Sequence, residues 1–279
     1  MPLYKEQGVV LRAVKLAEAD KIVTVLTQGA GKVRAVAKGI RRTTSKFGAR
    51  LEPLTHVSLL LYQGRNLDTI TQAEILSPFR AVRDDFALFS AGEAMLETAD
   101  KVAEEHERNV PLFLLLLNGL RALDARPADP AATAEAYLLR LLSLSGFHPA
   151  LDACASCGSP DVAAFSPAQG GTVCAGCAEA SAAPARPGAL AWLRTLAGTD
   201  LARAGEEPSP APDDRLAARL LLFGFAEYHL ERRIRAFPML ARTSPRTSPL
   251  GGPLAARGRV DPSTGRPTPP HPPALLPAP

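Results

Sequence analysis

"KIVTVLTQGAGKVRAVAK", residues 21–38, decides the fold. Its two halves are rich in Val, Ile and Thr and turn on Gly29-Ala30-Gly31, so the stretch predicts two short strands joined by a tight connection. Working outward, YKEQGVVLRAVKL at 4–16 precedes it across the polar break AEAD, and THVSLLLYQG at 55–64 and LDTITQAEIL at 67–76 follow. Five short strands in some seventy residues predict a small closed barrel. The five-stranded barrel that commonly binds single strands and oligosaccharides is the OB-fold.

From Asp84 the period becomes helical. DDFALFSAGEAMLETADKVAEEHE places two carboxylates at its start, where the helix dipole favours them, and spaces Phe86, Phe89, Glu93 and Leu96 along one side. NVPLFLLLLNGLRALDA carries Pro111 near its first turn, and DPAATAEAYLLRLLSLSG offers Asp129 as N-cap, Pro130 at N1 and Gly146 beyond the end. Two more helices are expected at RPGALAWLRTLAG and DDRLAARLLLFGFAEYHLERRIRAF. After Arg242 the composition turns to Pro, Gly, Ser and Thr, which cannot bury enough apolar surface to offset ordering entropy. The expected class is α+β: an OB-fold barrel over 1–78, a helical domain over 79–242 with a four-cysteine element at about 150–180, and a disordered Pro-rich tail over 243–279.

The bulk numbers allow this. At 279 residues and 46% hydrophobic content the chain can form two modest cores. MPLYKEQG has charges where a secretory leader would be apolar, and VPLFLLLL at 110–117 is too short to span a bilayer. A cytoplasmic protein is expected. In that compartment four cysteines do not suggest a disulfide framework.

Cys154-Ala-Ser-Cys157 and Cys174-Ala-Gly-Cys177 are two C-x2-C knuckles sixteen residues apart, the spacing of a structural zinc site. Gly158, Gly176 and the Gly170-Gly171 pair give room for the tight turns that four soft ligands require. Four thiolates leave no open position for water, so the expected Zn2+ is structural rather than catalytic. Other signs of bond chemistry are weak. His229-Leu230-Glu231 follows both knuckles, whereas the deaminase pattern puts H-x-E before P-C-x-x-C. Asp84-Asp85 and Glu206-Glu207 are adjacent pairs whose members diverge on a helix. His56, His106 and His148 have no partner that the sequence identifies, and no G-x-S-x-G, P-loop or G-x-G-x-x-G is present. No enzyme is predicted.

Charge is concentrated at the N-terminus: residues 1–76 carry net +6, 77–150 net −4, 151–242 net −1 and 243–279 net +3. Lys32, Arg34, Lys38, Arg41, Arg42, Lys46 and Arg50 form a run with no acidic residue among them. Strand alternation places Lys32, Arg34 and Lys38 on one face, with Val33, Ala35 and Ala37 on the other. The loop that follows adds Thr43, Thr44, Ser45 and Gly48, which can bring hydroxyls and N–H groups to phosphate oxygens, and Phe47, which can stack on a base or anchor the loop. Such a face grips nucleic acid without sequence preference.

Three segments resemble the RecO family of bacterial recombination mediators: EADKIVTVLTQGAGKVRAVAKGIRR, LLRLLSLSGFHPALDACASCGSPDVAAFSPAQGGTVCAGC and YHLERRIRAFPML, in that order within residues 1–242. The resemblance implies an OB-fold followed by a helical domain with an inserted zinc element. It implies binding of single- and double-stranded DNA, annealing of complementary strands, and recombinase loading together with RecR onto DNA coated by single-stranded-DNA-binding protein, whose acidic tail is also contacted. It further implies a location at the nucleoid, no bond chemistry, a DNA-contacting role for the basic run and metal ligation by the four cysteines. The Pro-rich tail departs from the family pattern. Two other readings share parts of the signal: a zinc-ribbon RNA-binding assembly factor, and a protein-interaction scaffold whose basic face is incidental.

Overall fold

The computed structural model describes residues 2–41, 45, 47–237 and 239–240. Arg42, Lys46 and the Pro-rich tail lie outside them.

The first five strands are β1 (Leu3–Leu16), β2 (Asp20–Thr27), β3 (Lys32–Ala37), β4 (His56–Tyr62) and β5 (Asp68–Ser77). They close into a barrel in the order β1-β2-β3-β5-β4. β1 spans two neighbours: its first half pairs with β4 and its second with β2, with a bulge between Val10 and Arg12. The seam is short, two parallel pairs from Ala35 and Val36 to Asp68 and Thr69. Val10, Val23, Val25, Val33, Ala35, Val57, Leu59, Leu61 and Ile70 fill the interior, and Ile40, Phe47 and Leu51 join them. Val9, Leu11 and Leu26 point outward into the helical core instead. The runs GVVL and VTVL, the latter with Thr24 buried among apolar residues, are thus strand segments buried on both faces.

Six helices follow: α1 (Arg80–Asp84), α2 (Phe86–Val102), α3 (Val110–Asp124), α4 (Pro130–Leu144), α5 (Pro187–Gly198) and α6 (Pro212–Leu230). Asp85, Asn109 and Asp129 cap α2, α3 and α4 by accepting N–H groups of the first turn. α4 lies at the centre, against α2, α3, α5 and α6. On it Glu135, 1% exposed, accepts from Arg215, Arg219 and Trp192. A buried carboxylate needs such partners to stay charged. Among the described residues, no helix is long and apolar enough to cross a membrane.

Three details differ from the sequence-based expectation. The helix expected over 84–107 is interrupted at Asp85 and stops at Val102, because residues 104–106 pair with β3 through Lys32 N to Glu104 O (3.4 Å) and His106 N to Lys32 O (3.0 Å). The side carrying Phe86 and Phe89 is 67% and 39% exposed at those residues, while α2 buries Leu88, Ala91, Met95 and Ala99. Small residues decide this: Gly92 packs against Leu54 and Val82, which a larger side chain would push away. The last helix ends at Leu230, where Glu231 turns into the left-handed region at φ 51°.

Candidate nucleic-acid interface and metal centre

β3 delivers the basic run as alternation requires: Val33, Ala35 and Ala37 are buried in the barrel and Lys32 and Arg34 project outward. That face is not uniformly uncompensated. Lys32 Nζ lies 3.5 Å from an Asp100 carboxylate oxygen and donates to the Asp100 carbonyl at 2.7 Å. Arg12 of β1 reaches the same carboxylate at 3.1 Å, and Arg34 pairs with Glu105 at 3.5 Å. These carboxylates come from the end of α2 and the segment after it. Gly31, at φ +69°, lets that segment pass, since a Cβ there would run into the Glu107 carbonyl. The first half of the predicted face is therefore a barrel-to-helix staple.

The second half is open. Lys38 and Arg41 are exposed and make no ion pair among the described residues. Arg41 donates to the carbonyls of Ala17 (3.3 Å) and Glu18 (2.7 Å), and its N–H donates to Ala19 O (3.0 Å), so the loop after β3 is docked on the β1–β2 turn. Asp20 receives the Gly39 N–H at 2.7 Å from the same turn. Arg50 is exposed on a 3-10 turn, Gly48–Leu51. Phe47 corrects the stacking expectation: it is 2% exposed and packs within the buried cluster of the barrel. It anchors the loop. Sequence reasoning missed Lys15, which sits opposite Lys21 across the β1–β2 ladder. Like charges at paired positions repel; Lys21 is relieved by Glu52 at 2.9 Å, while Lys15 stays exposed. The strand register was the missing signal.

The cysteines converge. Their four sulfurs lie within 4.8 Å of one another, and Cys157 and Cys174 stand 3.7 Å apart. Tetrahedral Zn–S bonds of about 2.3 Å put sulfurs roughly 3.8 Å apart. The knuckles fold by hydrogen bonds from Gly158 N to Cys154 O (2.8 Å) and from Cys177 N to Cys174 O (3.1 Å). Of the glycines expected to turn the chain, Gly158, Gly170 and Gly171 have positive φ. A small sheet, β7-β6-β8, supports them, formed by β6 (Ala164–Ser166), β7 (Gly171–Val173) and β8 (Ala183–Pro184). The Cys174 N–H, followed by those of Cys157 and Ser156, draws the Cys154 thiol down to about 6, whereas the thiols of Cys174, Cys157 and Cys154 push Cys177 up to about 12. Four thiolates this close ionise together only around a cation. The donor set and spacing fit a metal ion held by all four.

The remaining candidates do not assemble into a catalytic group. Asp85 is an N-cap, and Glu206 and Glu207 accept from Ala128 N and the Thr199 hydroxyl. His229 packs among Phe147, Phe225 and Tyr228, with ring centroids 4.8, 4.2 and 5.1 Å away. His56 is buried against Phe113, His148 meets the Ser143 hydroxyl at 2.7 Å, and His106 is exposed at φ 61° in the segment bound to β3. One cleft of about 430 Å³ is lined by Leu115, Asn118, Arg121, Arg140, Asp200 and Leu201 among others, so two arginines share it with a carboxylate and apolar side chains.

Comparison with known proteins agrees with this architecture. Residues 1–79 match the family described as Recombination protein O N terminal, and residues 83–236 match Recombination protein O C terminal. The chain is 46% identical over 247 residues to a DNA repair protein RecO of Frankia casuarinae, covering 87% of this chain and 100% of that one. It is 45% identical over 246 residues to the DNA repair protein RecO of a Nocardioides species (86% and 100%). A third relative, DNA repair protein RecO of Thermobifida fusca, is 42% identical over 245 residues (87% and 100%).

Proposed function

The chain belongs to the RecO family, and on that premise we propose that it serves DNA repair and recombination by holding DNA on its barrel without sequence preference, annealing complementary single strands and helping to load recombinase. The observation that carries this reading is that Lys38 and Arg41, at one end of a closed five-stranded barrel, are exposed and make no ion pair among the described residues. Arg42, Lys46, Arg50 and Lys15 extend the contact, and Lys32 and Arg34 add field rather than contact while Asp100 and Glu105 hold them. Two strands repel along their lengths. A cationic surface that holds one lowers the cost of bringing up the other, and leaves base edges free to pair. No bond is made or broken by the protein in this scheme.

In the same reading the barrel of 1–78 carries DNA and the helical part of 79–242 carries protein partners, namely RecR and single-stranded-DNA-binding protein. The acidic tail of the latter is assigned to the cleft lined by Arg121, Arg140, Leu115 and Leu201, where Asp200 offsets part of the positive charge. The four cysteines hold structural Zn2+, and the protein works in the cytoplasm at the nucleoid. The test is binding of a mixed-sequence oligonucleotide across a salt series, with a strand-annealing assay alongside. With six phosphate contacts the log–log slope for single strands is about −4. No binding at low salt, or a flat salt response, would refute the reading, and preference for a matched RNA would favour the RNA-binding alternative.

A further inference from the structure

The sequence YHLERRIRAFPML carries three arginines that the barrel does not use. α6 stops at Leu230, and Glu231 turns the chain so that Arg232, Arg233 and Arg235 all stand exposed. Among the described residues none of these three guanidinium groups has an ion pair or a hydrogen bond. The backbone that presents them is pinned. Ile234 N donates to Glu227 Oε1 at 2.9 Å, Arg235 N to Glu97 Oε1 at 3.0 Å and Ala236 N to Glu97 Oε2 at 2.7 Å, while Lys101 reaches both Glu97 and the Arg233 carbonyl. Ile234 and Phe237 are buried beneath. Burial opposes the charge on Glu97, but Lys101 and the two N–H groups outweigh it and hold the carboxyl below its ordinary range. The carboxylates of Glu227 and Glu97 thus engage their oxygens with backbone amides of the turn. The three guanidinium groups stand on a fixed frame with no ion pair among the described residues, while Glu97 and Glu227 keep their charge beneath them.

We propose that this arginine turn is a second phosphate-backbone contact, which holds the complementary strand while the barrel holds the first. The proposal rests on the barrel being a single-strand site. The turn is fastened to the end of α2, because Lys101, which reaches the Arg233 carbonyl, follows Asp100, which takes Arg12 and Lys32 at the stapled end of the barrel face and not at its open end. Guanidinium forks match phosphate oxygens. An acidic peptide fits less well, because the apolar pocket beside the turn, formed by Phe86, Phe89 and Met239, is also walled by Glu93 and Glu97.

The full chain with R232A/R233A/R235A is compared with the parent in single-strand binding and in annealing of complementary oligonucleotides. The expected result is single-strand affinity within about 3-fold of the parent and an annealing rate at least 10-fold lower, an effect that fades as salt screens the contact. R232K/R233K/R235K retains the charge and restores most of the rate. An unchanged annealing rate overturns the proposal and leaves the barrel reading intact. A loss of single-strand affinity as large as the loss of annealing also overturns it, since the turn would then be part of the first site. Loss of binding to an acidic peptide with annealing intact overturns it in favour of a protein partner. A parent that binds no single strand breaks the barrel reading itself. Should the alanine variant lose its thermal unfolding transition, R232Q/R233Q/R235Q keeps part of the aliphatic stem and a polar end without the charge, and is judged by the same outcomes.

Discussion

The two ends of β3 carry the same kind of side chain and meet different fates. At its start Lys32 and Arg34 face Asp100 and Glu105 of the helical part, and backbone hydrogen bonds to residues 104 and 106 fasten the contact. Just past its end Lys38 and Arg41 face solvent, and the nearby groups that bind Arg41 are carbonyls, which orient a guanidinium without cancelling its charge. One half of a continuous basic run is consumed in holding the molecule together. A count of cations along a sequence measures attraction for phosphate only after the protein's own carboxylates have been subtracted, and those carboxylates lie about seventy residues away.

The sharpest way to break this comparison is to neutralise the ends separately. Lys38→Ala/Arg41→Ala/Arg42→Ala is expected to weaken single-strand binding roughly 30-fold at low salt and to flatten the log–log salt slope by about 2, three contacts at about 0.7 each. Lys32→Ala/Arg34→Ala should leave affinity within about 2-fold, since those charges are already engaged. Fluorescence anisotropy over a salt series reads both. Equal losses at the two ends would mean that Asp100 and Glu105 release their partners when DNA arrives.

The complementary experiment reads stability. Asp100→Ala removes the carboxylate shared by Arg12 and Lys32, and the Lys32 side chain, 13% exposed, loses its main counter-charge. A partly buried charge left unpaired costs on the order of 1–2 kcal/mol, so the urea midpoint should fall while strand affinity holds or rises. An unchanged midpoint would remove the staple from the account.

The barrel was legible because β-branched strands broken by glycine turns leave few other arrangements, and the metal site because two C-x2-C knuckles fix their ligands locally. What stayed hidden was long-range. Nothing near Lys32 predicts that α2 ends at Val102 so that Glu104 can bond to β3. Phe47 lies in a polar loop and reads equally as a stacking platform or an anchor until its place in the barrel's core is known. Phe86 and Phe89 carry the expected spacing, but the close approach at Gly92 turned the opposite face inward. Lys15 needed the register opposite Lys21.

A third contact between barrel and helices uses no ion pair and titrates differently. His56 at the start of β4 is 6% exposed, its ring 6.1 Å from Phe113 of α3. Burial, and then the positive charge of Arg121, lower its pKa from the ordinary 6.5. The unfolded chain therefore takes up the proton first as pH falls. The contribution is fully present above pH 6.5 and is lost as the pH drops through the folded value. His56→Phe should flatten that part of the pH dependence of the urea midpoint, whereas Asp100→Ala should leave its shape unchanged there. Parallel curves for parent and His56→Phe would show that the acid-sensitive group is elsewhere.

The smallest effect on strand binding is expected from the metal. Cys154, Ala164 and Val173 form a cluster too small to persist without the cross-link that four thiolates around a cation provide. A chelator should release one metal ion per chain and melt the knuckles. Phe165 and Leu151 belong to the main helical core, so the loss should reach that core and lower the thermal midpoint. The barrel has its own cluster, which includes none of these residues, and Lys38 and Arg41 are positioned by the β1–β2 turn. Strand affinity of the chelated protein should therefore stay within about 2-fold of the parent, the same margin set for the stapled end. A chelator that abolishes strand binding would show that the four-cysteine element supplies part of the grip, and that the open end of β3 is not sufficient.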